Sequence, residues 1–402
     1  MGDMASPMRT FDVVILGASL AGSAAAIELG RAGLRTLLID KGSFPRRKAC
    51  GEGFSQHGAQ YLNHLGISPE VCRNGMNEFL GYRIVTYPSD SRVPRELVAR
   101  TPYPSGWGLS REVLDRVLVE RALQLPLVEA CFGRAVRALR RRKTSWVVTE
   151  GVNEFEARYV VVATGASLPG FTTPYVLQKY AGSRRVGYSS VATIVTGEPS
   201  RFVTLVPSDQ GEVYVTSLGD GRVNVSIVGT RTFVHANKCS KVLERMLRER
   251  LGLHLVFESS GIGAAHFEAR HASTDPLLYL VGDSRESFDP ICGMGMSHAL
   301  ATGIAAAHFI GRSCEGSIAT SRALAAYHRC QERMARGIRL YSQGVQTLVK
   351  WYRRAPLCFA PLSPSLAGRC VAALQSSIKP LRSFDAPHVS MQESCAEQLT
   401  NS

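Results

Sequence analysis

Cys50, Glu52 and His57 crowd into one stretch, KGSFPRRKACGEGFSQHG, where glycines flank a thiol, a carboxyl and an imidazole. Each of these side chains can hold or move a proton near neutral pH, so the stretch can line a site of acid–base chemistry. The structural alternatives are a small cysteine packed in an interior and two polar groups turned to water. Lys48 and Arg46 in the same stretch can meet phosphate or ribose oxygens, with surface solvation as the alternative. Further along, Arg111 opens the segment REVLDRVLVERA, Asp283 ends the apolar run LLYLVGD, and Pro290, Gly293, Gly295 and Met296 follow in DPICGMGM. A carboxylate at the end of a strand can bind a ribose-type hydroxyl, and glycines let backbone N–H groups approach an anionic ligand at a helix start.

The first of the elements that must position these groups is FDVVILGASLAGSAAAIELGRAGLRTLLID, Phe11 to Asp40. A short β-branched run, a glycine turn, a small-residue helix and a second apolar run make a βαβ unit. Gly17, Ser19 and Gly22 stand at the spacing of G-x-G-x-x-G, with serine in the middle position, and Asp40 closes the second strand. The helix N-terminus then faces a diphosphate and Asp40 a ribose hydroxyl, which reads as dinucleotide binding; close strand–helix packing alone is the alternative.

Downstream, helices are expected from Ala59 to Leu65 and from Ser110 to Ala122, the latter with Ser110 as N-cap and Val113, Leu114, Val117 and Leu118 on one face. Strands follow near 127–131, 135–139, 146–149 and 156–162. A second series, RVGYSSVATIV, RFVTLVP, GEVYVTSL and RVNVSIVG, alternates between turn signals, as an antiparallel sheet covered on one face does. Tyr188, Tyr214 and Thr216 on these strands can face a substrate or solvent. Helices are expected from Lys238 to Leu251, Gly295 to Ile310 and Ala319 to Val345. From Gln346 the pattern reads as broken amphipathic helices, with a disordered tail after Asp385.

The fold expected is α/β: a Rossmann-like domain of glutathione-reductase type in segments 1–83, 98–178 and 272–345. It is interrupted by an antiparallel-sheet substrate domain, 84–97 and 179–271, and followed by a helical C-terminal segment, 346–402.

Three motifs in order carry a family resemblance. The G-D followed by D-P-x-x-G-x-G, with WGLSREVLDRVL and the first βαβ unit, resembles FAD-dependent oxidoreductases related to p-hydroxybenzoate hydroxylase. FPRRKACGEGFS and SFDPICGMGM are similar to segments of the geranylgeranyl reductase subgroup and its monooxygenase and halogenase relatives. The resemblance implies bound FAD held by the glycine motifs and Asp283, Arg111 beside it, and a substrate lying over the flavin beneath the antiparallel sheet. It places Cys50 near the flavin. Thr164 stands where the monooxygenases carry Asp before glycine, which implies slow direct reduction by NADPH. The halogenase W-x-W-x-I-P segment is missing, with only Trp107 near the third motif. The expectation is an FAD-dependent oxidoreductase acting on a hydrophobic small molecule. Hydroxylation or epoxidation with O₂ ranks first and C=C reduction of isoprenoid or polyene chains second. Halogenation and a non-catalytic, flavin-holding docking role follow. Electrons would come from NAD(P)H or a partner reductase.

Bulk composition agrees with a folded two-domain chain: 402 residues, 45% hydrophobic and 20% charged. Ten scattered cysteines without C-x-x-C or zinc-like spacing suggest no metal site and a reduced, cytoplasmic setting. The N-terminal residues carry no apolar leader. The net charge of +14 is uneven, with twelve Lys/Arg against three acids between Arg312 and Asp385. Nucleic-acid module patterns are missing, which leaves an anionic membrane surface, an acidic carrier protein or no particular partner for the basic surface.

Overall fold

The computed structural model describes residues 8–68, 76–87, 94–101, 105–181, 183, 185–258, 261–265, 268–354 and 363–376. Among the described residues the α-helices are α1 (Leu20–Arg31), α2 (Gln56–His64), α3 (Arg111–Leu123), α4 (Arg231–Asn237), α5 (Ser240–Leu251), α6 (Gly295–Cys314), α7 (Thr320–Arg354) and α8 (Pro364–Ser376).

The Arg9–Leu16 strand lies at the centre of a seven-stranded sheet. It pairs in parallel with Thr36–Asp40 on one side and Asn153–Val162 on the other, with Val13 opposite Thr36 and Tyr159. Val128–Phe132 extends the parallel part at one edge and Leu278–Leu280 joins Val160–Val162. An antiparallel pair, Val136–Arg141 and Trp146–Glu150, completes it. Central parallel strands are buried on both faces, which is why VVIL, TLLID and YVVV are continuous apolar runs. Helix α1 packs against the strands, and a Cβ at Gly22 would stand 1.8 Å from the carbonyl oxygen of Gly17. Glycine there allows the helix to start close against the strand, so one residue serves both packing and anion access.

The second sheet has eight strands, mostly antiparallel: His254–Phe257, Val186–Thr196, Arg222–Gly229, Gly211–Gly219, Val203–Pro207, Gly81–Thr86 and Arg95–Arg100 in order, with Ile262–Ala265 also on Val186–Thr196. Val213, Val215, Val225 and Ile227 point to one face, where Leu243 and Leu247 of α5 cover them. Glu212, Tyr214, Thr216, Asn224 and Ser226 point to the other, as period-two alternation demands. A ribbon of Val176–Ala181 and Ala269–Ser273 links this sheet to the first.

Several expectations need correction. The boundaries at 178/179 and 271/272 cut through the paired strands Val176–Ala181 and Ala269–Ser273, which form one ribbon. The boundaries at 83/84 and 97/98 cut through strands: the antiparallel pair Gly81–Thr86 and Arg95–Arg100 belongs to the second sheet, because Val203–Leu205 pairs with Tyr82–Ile84. The boundary at 345/346 falls inside α7, which continues to Arg354 because Val349 and Tyr352 bury against Ile84, Leu97 and Leu205 of that hairpin region. Tertiary packing thus overrides the weak amphipathic pattern there. Helix α2 starts at Gln56, directly after extended Ser55, three residues before the expected Ala59. The expected tail after Asp385, together with Leu357, Phe359, Leu362, Lys379 and Arg382, lies outside the described residues. No helix among the described residues is long and apolar enough to cross a membrane.

Candidate functional site

Three helix starts and two loops converge between the sheets. Ser19 occupies the N-cap of α1 but makes no capping bond with its side chain. Its hydroxyl instead lies 3.2 Å from both carboxylate oxygens of Asp115 and accepts from Arg111 Nη2 at 2.7 Å. Serine in the middle fingerprint position is thereby accounted for: it ties the first helix to α3. Arg111 and Asp115 form an i,i+4 pair at 3.0 Å with side chains 4% and 0% exposed. Burial alone would lower the arginine's pKa, but Asp115 and then Cys50 outweigh it and hold the guanidinium charged. Arg111 Nε is buried and has no hydrogen-bond partner among the described residues.

Asp40 is buried at the strand end, as the spacing implies. It accepts from the N–H groups of Ala18 and Gly42, each at 2.8 Å, and from Arg46 at 3.0 Å. Lys48 turns its ammonium inward, toward Gly165. Burial first, then Arg111, lowers its pKa, against the opposing charges of Asp283 and Asp115. Asp283 lies in a 3-10 turn, Gly282–Ser284, just past the Leu278–Leu280 strand. Ser284 Oγ donates to Gly165 O and accepts from Gly165 N–H, both at 3.0 Å. The exposed Thr164 is thus held in a loop fastened to the Asp283 turn.

The Cys-Gly-Glu-Gly loop lies between this cluster and the polar face of the second sheet. Cys50 N–H donates to Ser189 Oγ and Ser226 Oγ donates to Cys50 O, each at 3.2 Å. The thiol accepts from Glu52 N–H at 3.3 Å and neighbours the Arg111 guanidinium. Glu52 is 5% exposed and has a left-handed backbone with φ 55°. Its carboxylate accepts from Arg111 N–H at 2.9 Å and from Asn224 at 3.2 Å. It therefore caps α3 in place of the Ser110 hydroxyl and ties the loop to the sheet. Burial raises its pKa, opposed by Arg111 and Asn224. His57 stands apart in the first turn of α2, half-buried, with burial lowering its pKa. The structure separates the three expected proton carriers: Cys50 reaches the cluster, Glu52 is a tie, and His57 belongs to a helix.

The second loop is shaped by Asp289, whose carboxylate accepts from Ile291 N–H at 3.0 Å and caps the 3-10 turn Pro290–Cys292. Gly293, at φ 61°, ends that turn in the left-handed region. Gly295 then opens α6, with Met296 buried in its first turn. Ser55 and Ser297 share a 2.8 Å hydrogen bond, which brings the two glycine loops together. Arg185 bridges Asp289 to Glu212, and Tyr214 OH donates to Glu212 at 3.0 Å. Tyr214 and Thr216 face the site, whereas Tyr188 packs on the opposite face with the α5 cluster. Sequence reading missed Asp115, Asn224 and Arg185. Only Asp115 had a local signal, its i,i+4 spacing from Arg111.

These residues fit an FAD dinucleotide. An orphaned Arg111 Nε and the inward-facing Lys48 lie near a helix start whose side-chain cap is missing, a combination suited to a diphosphate. A Cβ at Gly51, Gly53, Gly293 or Gly295 would meet nothing within 4 Å, so both loops border open space where a flat ring can approach the backbone. Fold and cluster together define a dinucleotide-binding protein whose second sheet closes over the site. More particularly, the chain belongs to the FAD-binding domain family, which it matches over residues 10–340. It is an FAD-dependent oxidoreductase of that family.

It is 26% identical over 353 residues to a digeranylgeranylglycerophospholipid reductase of Thermoplasma volcanium, covering 80% of this chain and 83% of that protein. It is also 26% identical over 331 residues to a menaquinone reductase of Mycobacterium tuberculosis, covering 74% and 76% respectively. Its fold is that of a triple mutant of the flavin-dependent brominase Bmp2, with a TM-score of 0.73, 17% identity and coverage of 92% and 95%.

Asp283→Ala is expected to weaken FAD binding five- to a hundredfold, about 1–3 kcal/mol, as a hydroxyl loses its acceptor. Titration of the apoprotein with FAD measures this, and unchanged affinity removes Asp283 from the site.

Proposed function

We propose that the protein reduces carbon–carbon double bonds in an apolar, isoprenoid-type chain, using bound FAD and a proton from Cys50. The observation that carries this reading is the position of the Cys50 thiol, between the Arg111 cluster and the polar face of the second sheet. Two of the relatives named above, the digeranylgeranylglycerophospholipid reductase and the menaquinone reductase, are reductases matched along most of their length, and they support reading reduction ahead of the oxygenation ranked first on sequence.

Bound FAD supplies hydride to one carbon of the double bond. Gly17, Ser19, Gly22, Lys48 and Arg111 would hold its diphosphate, Asp40 and Asp283 its hydroxyls. Gly293, Gly295 and Met296, behind the Pro290 turn, would border its ring. Cys50 Sγ delivers the proton to the second carbon. The thiolate left behind faces the Arg111 guanidinium and accepts from Glu52 N–H, and it regains a proton from water. The hydride, the proton and the alkene account for all atoms of the saturated product. Ile84, Leu97 and Leu205 pack with Val349 and Tyr352 of α7, and the partly buried Tyr214 and Ile291 against them give the site an apolar border that suits a hydrocarbon substrate. Electrons reach FAD from NAD(P)H or a partner reductase.

Protein reduced with dithionite and kept anaerobic should saturate a polyprenyl substrate, with two mass units gained per bond. Product that forms only when O₂ is admitted, and that carries oxygen, overturns reduction in favour of hydroxylation or epoxidation.

A further inference from the structure

Helix α7 is 35 residues long and has two unlike sides. Its inner side buries Ala335, Ile338 and Tyr341 against Phe288, Cys292 and Met294 of the second glycine loop. On its outer side Arg322, Arg329, Arg333, Arg336, Leu340, Trp351 and Arg354 are all exposed. At 100° per residue these seven fall within about 60° of arc, a single line about 48 Å long. Leu340 is 63% and Trp351 65% exposed. None of the five arginines forms an ion pair among the described residues, whereas the off-line Arg339 and Arg353 are paired with Glu286 and Glu332, and with Asp209.

We infer that this line is a docking surface for an anionic lipid bilayer. Guanidinium forks match phosphate oxygens, and five of them in a straight row complement a flat, negatively charged plane. Leu340 and Trp351 share that row, and an exposed indole beside cations is placed to enter the headgroup layer. Docking there would hold the glycine loop one helix diameter from the membrane, on the inner side of the same helix. The surface stands on charge and geometry alone and does not depend on the reaction proposed above.

The test uses the full-length holoprotein with phosphatidylglycerol-containing and pure phosphatidylcholine vesicles, at low and high salt. Co-sedimentation is expected only with the anionic vesicles at low salt. The Trp351 emission should shift to the blue, and W351F should lose that shift. The R329Q/R333Q/R336Q protein should partition about a hundredfold less, about fivefold per arginine. K241Q/R245Q, which removes two exposed cations from α5, should bind as the parent does. If the triple variant loses FAD or helicity, R333Q and R336Q singly, each expected to bind about fivefold less, carry the test. The proposal fails if the parent does not sediment with anionic vesicles or if the arginine variants bind undiminished. Equal salt-sensitive binding to polyglutamate with no change in tryptophan emission would also overturn it, and would assign the row to an acidic protein.

Discussion

Replacement of Arg111 by methionine is expected to lower stability by about 3–5 kcal/mol, because it leaves Asp115 charged and unpaired where none of its side chain meets solvent. Ser19 alone then faces that carboxylate, and one hydroxyl cannot replace a guanidinium. FAD affinity should fall in the same variant, since Arg111 Nε is a buried donor without a partner among the described residues. The double variant Arg111→Met, Asp115→Leu separates the two roles. Removing both members of a buried pair is often near neutral for stability, so most of the lost denaturant midpoint should return. The lost FAD affinity should not. If the double variant binds FAD as the parent does, Arg111 serves the fold and not the cofactor.

Replacement of Cys50 by alanine is expected to slow alkene reduction by about 10²–10⁴-fold, the usual worth of a positioned proton donor. The variant should keep its FAD and most of its denaturant midpoint, because the hydrogen bonds that tie the loop to the second sheet use the backbone N–H and carbonyl of Cys50, and the thiol adds only a 3.3 Å contact from Glu52 N–H and its contact with Arg111. The rate should be measured in a single turnover of prereduced protein, so that slow reduction of the flavin by an external donor does not mask the step. Cys50→Ser, which keeps a protic group in the same place, should fall between the two. An alanine variant with full single-turnover rate would transfer the proton to water and leave the cysteine as packing.

The two results bear on one arrangement, in which the Cys-Gly-Glu-Gly loop is held from both sides. Glu52 is the hinge of that arrangement: its left-handed backbone turns the chain, one carboxylate oxygen caps α3, and the other reaches Asn224 on the second sheet. Arg185 makes the corresponding tie for the second loop, from Asp289 to Glu212. Motion of the second sheet relative to the first would break both ties, so the spacing between the two glycine loops and the second sheet is set by these ties and not by loop length.

Local chemistry was enough for a large part of this. Apolar runs of strand length, the Gly17–Gly22 turn and the small-residue helix define the first βαβ unit because helix and strand periodicities act over neighbours in sequence. The same holds for Asp40 at its strand end and for the DPICGMGM turn, whose cap and left-handed glycine involve residues two to four apart. Pairing across the chain is another matter. Nothing near Ser19 announces Asp115, nothing near Glu52 announces Asn224, and Arg185 stands 104 residues from Asp289. Which of the three proton carriers reaches the cluster likewise depended on where three distant elements met. So did the facing of Tyr188 away from the site and of Tyr214 toward it. Alternation along a strand states that two faces exist, but only the covering of one face by α5 decides which remains toward the glycine loops. The outward row of α7 has both origins: its spacing is written in the sequence, and its exposure was decided when Ala335, Ile338 and Tyr341 found partners on the opposite side.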